Sequence, residues 1–179
     1  MINTPQKKPT KTVWNKQRKR KSKLNKDGNL SLATWDKLVD MFYSPCIRLR
    51  DSEDGGITTV CYTCGKTIPI NDAQNGHFVP RAAKPIKYDE RNTHAQCYRC
   101  NVALKGNLTV YAERMINDYG VDIIAELNHA GAKHFKGTRE YYEAMYDMYR
   151  ERLAEMDNYA KFTYIFEQAD KIIRIAKGA

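Results

Sequence analysis

Two cysteine pairs of identical spacing, Cys61-x-x-Cys64 and Cys97-x-x-Cys100, constrain this chain more than any other feature. Each pair can place two thiolates on one metal ion, and two pairs complete the tetrahedron of a closed structural zinc site. A redox-active CxxC would explain one pair but not two. We therefore predict a structural Zn²⁺ bound by these four cysteines, and the 32 residues between the pairs are enough to house a further element. The remaining cysteine, Cys46, is predicted to be a buried free thiol.

The composition predicts a folded protein of the cytoplasm. Of the 179 residues, 42% are hydrophobic and 11% aromatic, which is enough for a packed core. No apolar run approaches the ~18 residues of a membrane-spanning helix, and no apolar stretch of a secretory signal follows Met1. We therefore expect no membrane partner, and we expect the cysteines not to form disulfides.

The net charge of +9 is concentrated in residues 1–27. This segment holds ten of the 30 basic residues and one of the 21 acidic residues, so the rest of the chain is neutral. Such a block without apolar periodicity is typical of a disordered arm that binds nucleic acid, and a solubilising leader is the alternative. The candidate DNA contacts in the arm are Lys16, Arg18, Lys19, Arg20 and Lys21.

Hydrophobic periodicity predicts an α+β fold with a central region of short strands and a helical C-terminal part. The predicted helices cover about 32–44, 107–120, 121–129, 138–156 and 160–176. The predicted N-caps of the first and fourth helices are Ser31 and Thr138. The predicted strand segments are Ile57–Val60 and His77–Val79. Apolar stripes on the last two helices predict a helical hairpin on the core, with a subunit interface of a homodimer as the alternative. The predicted divisions are a basic tail (1–27), an N-terminal helix (28–47), a zinc-bound core (48–118) and a helical extension (119–179).

Three polar residues in and just beyond the cysteine gap predict a catalytic site: His77, Asn92 and Asn101. Singly, they are explained as a core histidine, a turn residue and a helix cap. Together, in the order His…Asn…Cys-x-x-Cys-Asn, they resemble an HNH (ββα-metal) nuclease site built on a zinc scaffold. A neutral imidazole can take a proton from water, and an amide oxygen can hold Mg²⁺. We expect Asn92 to fix the loop whose backbone carbonyl orients the His77 ring.

A closer resemblance covers about residues 40–155. The stretches that carry it are Ile47-Arg48-Leu49-Arg50-Asp51, Cys61-x-x-Cys64-Gly65, Gly76-His77-Phe78-x-x-Arg81, Tyr88-Asp89-Glu90-Arg91-Asn92-x-His94-x-Gln96-Cys97-x-x-Cys100-Asn101 and Leu104-x-Gly106-Asn107. They are similar to the phage NinG/Rap family of recombination endonucleases, which act on branched DNA such as Holliday junctions and D-loops. The resemblance implies that His77 is the general base, Asn101 a ligand of catalytic Mg²⁺ or Mn²⁺, Asn92 the orienting residue and the four cysteines zinc ligands.

One position departs from the wider HNH pattern. Many HNH enzymes carry an aspartate immediately before the catalytic histidine, and this chain has Gly76, which cannot ligate a metal. His94 and Asp72 are weaker candidates for a second metal ligand. The alternative for His94 is a buried, hydrogen-bonded residue that supports the strand.

Several residues near these motifs are candidate phosphate contacts. Arg81 could clamp the scissile phosphate, or it could be a surface residue paired with Asp89 or Glu90. Asn107 could contact phosphate or cap a helix. Residues 48–107 hold nine basic and six acidic residues, which favours phosphate binding. The bases that make the zinc region positive are Arg91, Arg99 and Lys105.

These observations predict an α+β, zinc-stabilised HNH nuclease with a helical C-terminal extension. The expected reaction is Mg²⁺-dependent hydrolysis of DNA that leaves 5′-phosphate and 3′-hydroxyl ends. The family resemblance implies that the substrate is branched DNA during phage recombination. The first alternative is a non-catalytic zinc-ribbon protein that binds DNA or acts as an adaptor. It has no need of His77 and Asn101. The second alternative is a sequence-specific HNH endonuclease. The chain shows no second recognition domain, which counts against this alternative.

Overall fold

The computed structural model describes residues 24–25, 28–52, 54–156 and 159–177. The predicted DNA arm, with Lys16, Arg18, Lys19, Arg20 and Lys21, lies outside them. Helices and two small antiparallel sheets confirm the α+β class. The elements are α1 (Leu32–Arg50), β1 (Thr58–Val60), β2 (Thr67–Pro69), β3 (Gln74–His77), β4 (Thr93–Gln96), α2 (Leu108–Tyr119), α3 (Ile123–Gly131), α4 (Arg139–Glu155) and α5 (Thr163–Lys177), with single turns at Lys84–Ile86, Glu90–Asn92, Arg99–Ala103 and Tyr159–Phe162.

The first helix begins where the sequence predicts but ends later. Ser31 is its N-cap, and the Ser31 hydroxyl accepts a hydrogen bond from the backbone N–H of Thr34. The predicted end at residue 44 is wrong, because α1 continues through Pro45 to Arg50. A proline inside a helix removes one backbone hydrogen bond. Burial of the following residues, Cys46 and Ile47 among them, compensates for that loss.

The largest core lies between α1, α4 and α5. Phe42 of α1 contacts Tyr146 of α4 and Phe166 of α5 edge-to-face, with ring centroids 5.2 and 5.0 Å apart. Thr138 caps α4 as predicted. The apolar stripes of α4 and α5 therefore pack against α1 within one chain, which confirms the predicted helical hairpin on the core. Cys46 is a buried free thiol in this core, as predicted, and burial raises the pKa of this thiol to about 12.

Two antiparallel strand pairs carry the remaining motifs. In one pair Thr59 is opposite Ile68, and in the other Gly76 is opposite His94. The strand predicted to start at His77 instead ends there. The pairs are joined by a hydrogen bond of 2.8 Å from the N–H of Tyr62 to the carbonyl of Ala95.

The C-terminal end of α1 and the short helices fix the second strand pair from two sides. Arg50 donates to the carbonyl of Thr93 at 2.9 Å, and the Asp51 carboxylate accepts from the N–H of Ala95 at 2.9 Å. A second core forms where α2 and α3 cover the loop after β3; its buried members are Val79, Ile86, Tyr111, Met115, Ile123 and Leu127. None of the described helices is long and apolar enough to cross a membrane.

Candidate functional site

The four predicted zinc ligands converge at one point. Cys61 follows β1, Cys64 lies in the turn before β2, Cys97 follows β4, and Cys100 lies in the turn Arg99–Ala103. Their sulfur atoms all lie within 4.8 Å of one another, and those of Cys64 and Cys97 are 3.9 Å apart. Tetrahedral ligation with Zn–S bonds of about 2.3 Å requires sulfur separations of about 3.8 Å. The four thiols can therefore hold a metal ion such as zinc.

The neighbours of Cys61 Sγ favour a thiolate, whereas burial raises the pKa of Cys64 and of Cys100. Cys61 Sγ lies 3.4 Å from the hydroxyl of Thr63, and the N–H of Cys100 donates to Cys97 Sγ at 3.5 Å. Burial opposes ionisation of Cys61, but hydrogen bonds from Thr63 and from backbone N–H groups outweigh it and lower the pKa of Cys61 to about 6. Asn107 Nδ2 approaches Cys100 Sγ at 3.9 Å. Hydrogen bonds of this kind stabilise metal-bound thiolates and orient them.

A polar cleft of about 270 Å³ adjoins this centre, since Asn101, one of its lining residues, follows Cys100 directly. It brings four of the predicted site residues together, His77, Arg81, Asn101 and Lys105. The other lining residues are Asn75, Phe78, Pro80, Gly106 and Leu108.

The His77 ring is held with one nitrogen facing a carbonyl and the other without a partner. Nε2 donates to the carbonyl of Lys87 at 3.1 Å, so Nδ1 carries the free lone pair of the neutral ring. Nδ1 is buried and has no hydrogen bond to any described residue. Burial, with the positive charge of Arg81, lowers the pKa of His77 to about 4. The ring is therefore neutral at pH 7 and can accept a proton.

Asn92 fixes the loop that positions His77. The side chain is fully buried; Oδ1 accepts from the N–H of Val79 at 2.7 Å, and Nδ2 donates to the Val79 carbonyl at 3.0 Å. A longer bond of 3.4 Å reaches the carbonyl of Ile86, the residue before Lys87. Asn92 thus closes the 79–86 loop directly before the carbonyl that holds the His77 ring.

Lys87 is a positioning residue that the sequence analysis missed. Its buried ammonium group donates to the carboxylates of Asp36 and Asp40 on α1, at 2.9 Å in each case. These ion pairs fasten the loop and its carbonyl to α1. No local sequence signal connects residues about 50 positions apart, so only the fold reveals this anchor.

The Asn101 side chain presents its oxygen. Nδ2 donates to Oε1 of Gln74 at 2.8 Å, while Oδ1 has no hydrogen bond to any residue that the structure describes. Because Gln74 accepts from the NH₂ group, the amide is oriented with its oxygen as the free end. Gln74 was not among the predicted residues.

His94, one of the weaker candidates for a second metal ligand, does not line the cleft. Its Nδ1 and Nε2 each lie 3.0 Å from a tyrosine hydroxyl, those of Tyr111 and Tyr119, and the ring stacks on Tyr62 at 3.8 Å. Burial and the charge of Arg50 lower the pKa of His94 to about 3. His94 is the buried, hydrogen-bonded residue of the alternative.

Asp72, the other candidate for a second ligand, is also outside the cleft. It lies in a separate depression beside Cys64. Neither weaker candidate of the sequence analysis therefore reaches the cleft that contains His77 and Asn101.

The predicted phosphate contacts fall into two groups. Arg81 pairs with Asp40, not with the predicted Asp89 or Glu90. Arg91 is occupied by Asp89 and by Glu126, at 2.9 and 3.1 Å.

The second group of predicted contacts is not paired with acidic side chains in the described part of the chain. Arg99 and Lys105 are exposed and form no ion pair with any described residue. Asn107 precedes α2 in a left-handed conformation, and its side chain does not cap that helix. Among the residues that the structure describes, Arg99 and Lys105 are therefore the predicted bases that remain free for phosphate.

A family model described as "Bacteriophage Lambda NinG protein" matches residues 2–159. "Protein ninG" of Escherichia phage 933W is 31% identical over 125 residues, which are 69% of this chain and 59% of that protein. The proteins of the same name from Salmonella phage P22 and Escherichia phage lambda are each 30% identical, over 68% and 69% of this chain and 57% and 58% of their own lengths. The chain thus spans less than two thirds of these relatives. No solved structure matches it.

Proposed function

The chain belongs to the bacteriophage lambda NinG family, and we propose that it is a metal-dependent endonuclease that cuts branched DNA during phage recombination. One observation carries the nuclease proposal. His77 Nδ1 is unpartnered in the same cleft as Asn101, whose Oδ1 is also free, beside a four-cysteine metal centre. A protein that only binds DNA has no use for a buried, unpaired imidazole nitrogen next to a free amide oxygen. The branched substrate rests on the resemblance to the family alone.

The residues of the cleft fit a hard divalent cation. An unpaired amide oxygen is a ligand that Mg²⁺ and Mn²⁺ accept, and Asn101 supplies one. When bound, such a cation neutralises charge on the scissile phosphate and on the leaving 3′ oxygen. Because Gln74 accepts a hydrogen bond from the NH₂ group of Asn101, the amide oxygen of Asn101 is left available for a cation.

In this mechanism His77 is the general base. Nδ1 takes a proton from the attacking water, and the Lys87 carbonyl stabilises the imidazolium that results through its bond to Nε2. Asn92 and the Lys87 ion pairs hold that carbonyl in place, so the ring does not have to reorganise during the reaction. The cysteine centre fixes the turn that carries Asn101.

The rim of the cleft suits DNA. Lys105 lines it, and Arg99, six residues earlier in the same segment, lines the depression beside Cys64. Large apolar side chains accompany them on this segment with 46–63% of their surface exposed: Tyr98, Val102, Leu104 and Leu108. Free bases with exposed apolar groups fit phosphates and the open base faces of a branch point.

A cleavage assay tests the proposed function directly. Labelled linear, forked and four-way DNA are incubated with the protein in Mg²⁺ or in EDTA. We expect cuts in forked and four-way DNA in preference to linear DNA, with 5′-phosphate ends, and none in EDTA. Binding to all three substrates without cleavage in either Mg²⁺ or Mn²⁺ would favour the non-catalytic zinc-ribbon alternative. Cleavage of linear DNA at one sequence would favour the sequence-specific endonuclease.

Deleting residues 1–27 should weaken DNA binding without changing substrate choice. If about half of the ten tail bases contact phosphate, the slope of log K against log salt should flatten by about 4–5. Affinity should fall on every DNA shape, and turnover at saturating DNA should persist, because no proposed catalytic residue precedes His77. Binding measured across a salt series checks this. An unchanged slope would rule out a DNA arm, and a lost preference for branched DNA would assign structure recognition to the tail.

A further inference from the structure

Asn75 lines the cleft and has an unsatisfied side-chain amide. Its Oδ1 and Nδ2 are both buried, and neither has a hydrogen-bond partner among the described residues. Asn75 and His77 are two residues apart on β3, so they lie on the same face of the strand. Buried polar groups without partners are rare and commonly mark a place where a ligand, an ion or water binds.

The structure also excludes a metal-binding carboxylate at position 76. A Cβ atom built on Gly76 would lie 1.9 Å from Oε1 of Gln96. Gln96 cannot withdraw easily, because its fully buried side chain donates through Nε2 to the carbonyl of Gly106 at 2.9 Å and to the hydroxyl of Thr63 at 3.2 Å. Aspartate cannot fit at position 76, so any second protein oxygen must come from another residue.

We infer that Asn75 Oδ1 is the second protein ligand of the catalytic divalent cation, together with Asn101 Oδ1. This inference rests on the proposed nuclease function, which supplies the cation. Gln96 Oε1 is also unpartnered, but it lies against Gly76 and Gln96 does not line the cleft. Asn75 does line it, beside His77 and Asn101.

Two neutral amides make a weak site for a cation. No carboxylate lines the cleft, and the charged residues that do, Arg81 and Lys105, are positive. The cation therefore binds loosely to the free protein and tightly only when a DNA phosphate adds negative charge, since ligand charge sets the affinity of such sites. This arrangement keeps the site of the catalytic cation, at Asn75 and Asn101, inactive until DNA is bound.

Mn²⁺ binding to the full-length, zinc-loaded protein tests the assignment without measuring activity. Free Mn²⁺ is followed by electron paramagnetic resonance for wild type, Asn75→Asp, Asn75→Ala and the control Asn71→Asp. The control adds the same charge on an exposed residue four positions earlier, outside the cleft. We expect Asn75→Asp to tighten Mn²⁺ binding about tenfold or more, because a carboxylate replaces a neutral ligand in the same place. Asn75→Ala should abolish the Mn²⁺ binding that the wild type shows. The control Asn71→Asp should change the Mn²⁺ affinity by no more than about twofold, since the added charge at position 71 is exposed to water.

Thermal melting with and without Mn²⁺ guards against misfolding. A buried carboxylate at position 75 should lower the melting temperature, and Mn²⁺ should restore it in Asn75→Asp only. If Asn75→Asp binds Mn²⁺ no more tightly than Asn71→Asp, or if Mn²⁺ does not restore its stability, Asn75 is not a metal ligand.

Wild-type cleavage of forked DNA is measured in parallel to separate the two proposals. Cleavage by the wild type with unchanged Mn²⁺ binding in the Asn75 variants would remove only the ligand assignment. Absence of cleavage with tighter Mn²⁺ binding in Asn75→Asp would remove the nuclease function and leave the metal site.

Discussion

Replacing His77 with alanine should lower the rate of DNA cleavage by about 10³-fold or more, which is the usual contribution of a positioned general base. DNA binding should stay near wild type, because the base acts only in the transition state. Stability should fall by about 1 kcal/mol, since the substitution removes one hydrogen bond to the Lys87 carbonyl. Single-turnover cleavage of forked DNA at saturating protein measures the rate, and thermal melting measures the stability.

His129→Ala is the matched control for this variant. His129 is an exposed histidine near the end of α3 and does not line the cleft. Its removal should leave cleavage unchanged. Asn101→Ala should reproduce the loss seen in His77→Ala, with little rescue by raised Mg²⁺. Cleavage by His77→Ala at a rate close to wild type would remove this residue from the mechanism.

The features that sequence alone predicted are those encoded locally. The four cysteines that can hold a metal ion have a short, fixed spacing, and the caps at Ser31 and Thr138 depend on side chains within three residues of the helix start. The buried stripe on α4 repeats with the helical period. Each of these can be recognised before any long-range contact is known.

The features that sequence missed depend on contacts between distant segments. Local sequence rules predict that α1 ends before Pro45. The helix continues to Arg50 because Cys46 and Ile47 are buried in the core. Asn75 and Gly76 have low strand propensity, and pairing with β4 makes them part of a strand.

The same reason explains the missed partners in the cleft. The Asp40 partner of Arg81 is 41 residues away in sequence, and Gln74 is 27 residues from the Asn101 side chain that it orients. Residue order therefore indicated His77, Asn92 and Asn101 as candidate site residues, but not Lys87 and Gln74, which hold the His77 loop and the Asn101 amide in place.

Replacing Cys61 or Cys100 with serine should unfold the region of residues 57–107. Structural zinc binding contributes folding free energy of about 10 kcal/mol in small sites, which is more than a small domain can lose. Purified wild-type protein should contain about one zinc per chain, since four thiolates complete one tetrahedral site. Metal analysis measures the zinc content, and thermal melting measures the stability, each with and without a chelator.

Cys46→Ala is the control that separates metal loss from the loss of a buried thiol. Cys46 is buried in the core of α1, α4 and α5, away from the four ligands, so this variant should keep its zinc and melt only modestly earlier. In Cys61→Ser, by contrast, much of the helical signal should survive, because the α1–α4–α5 core contains none of the ligands. Cleavage should still be lost, since Asn101 directly follows Cys100 and depends on that turn for its position. A Cys61→Ser protein that lacks zinc yet melts and cleaves like wild type would show that the four cysteines are not a structural metal centre.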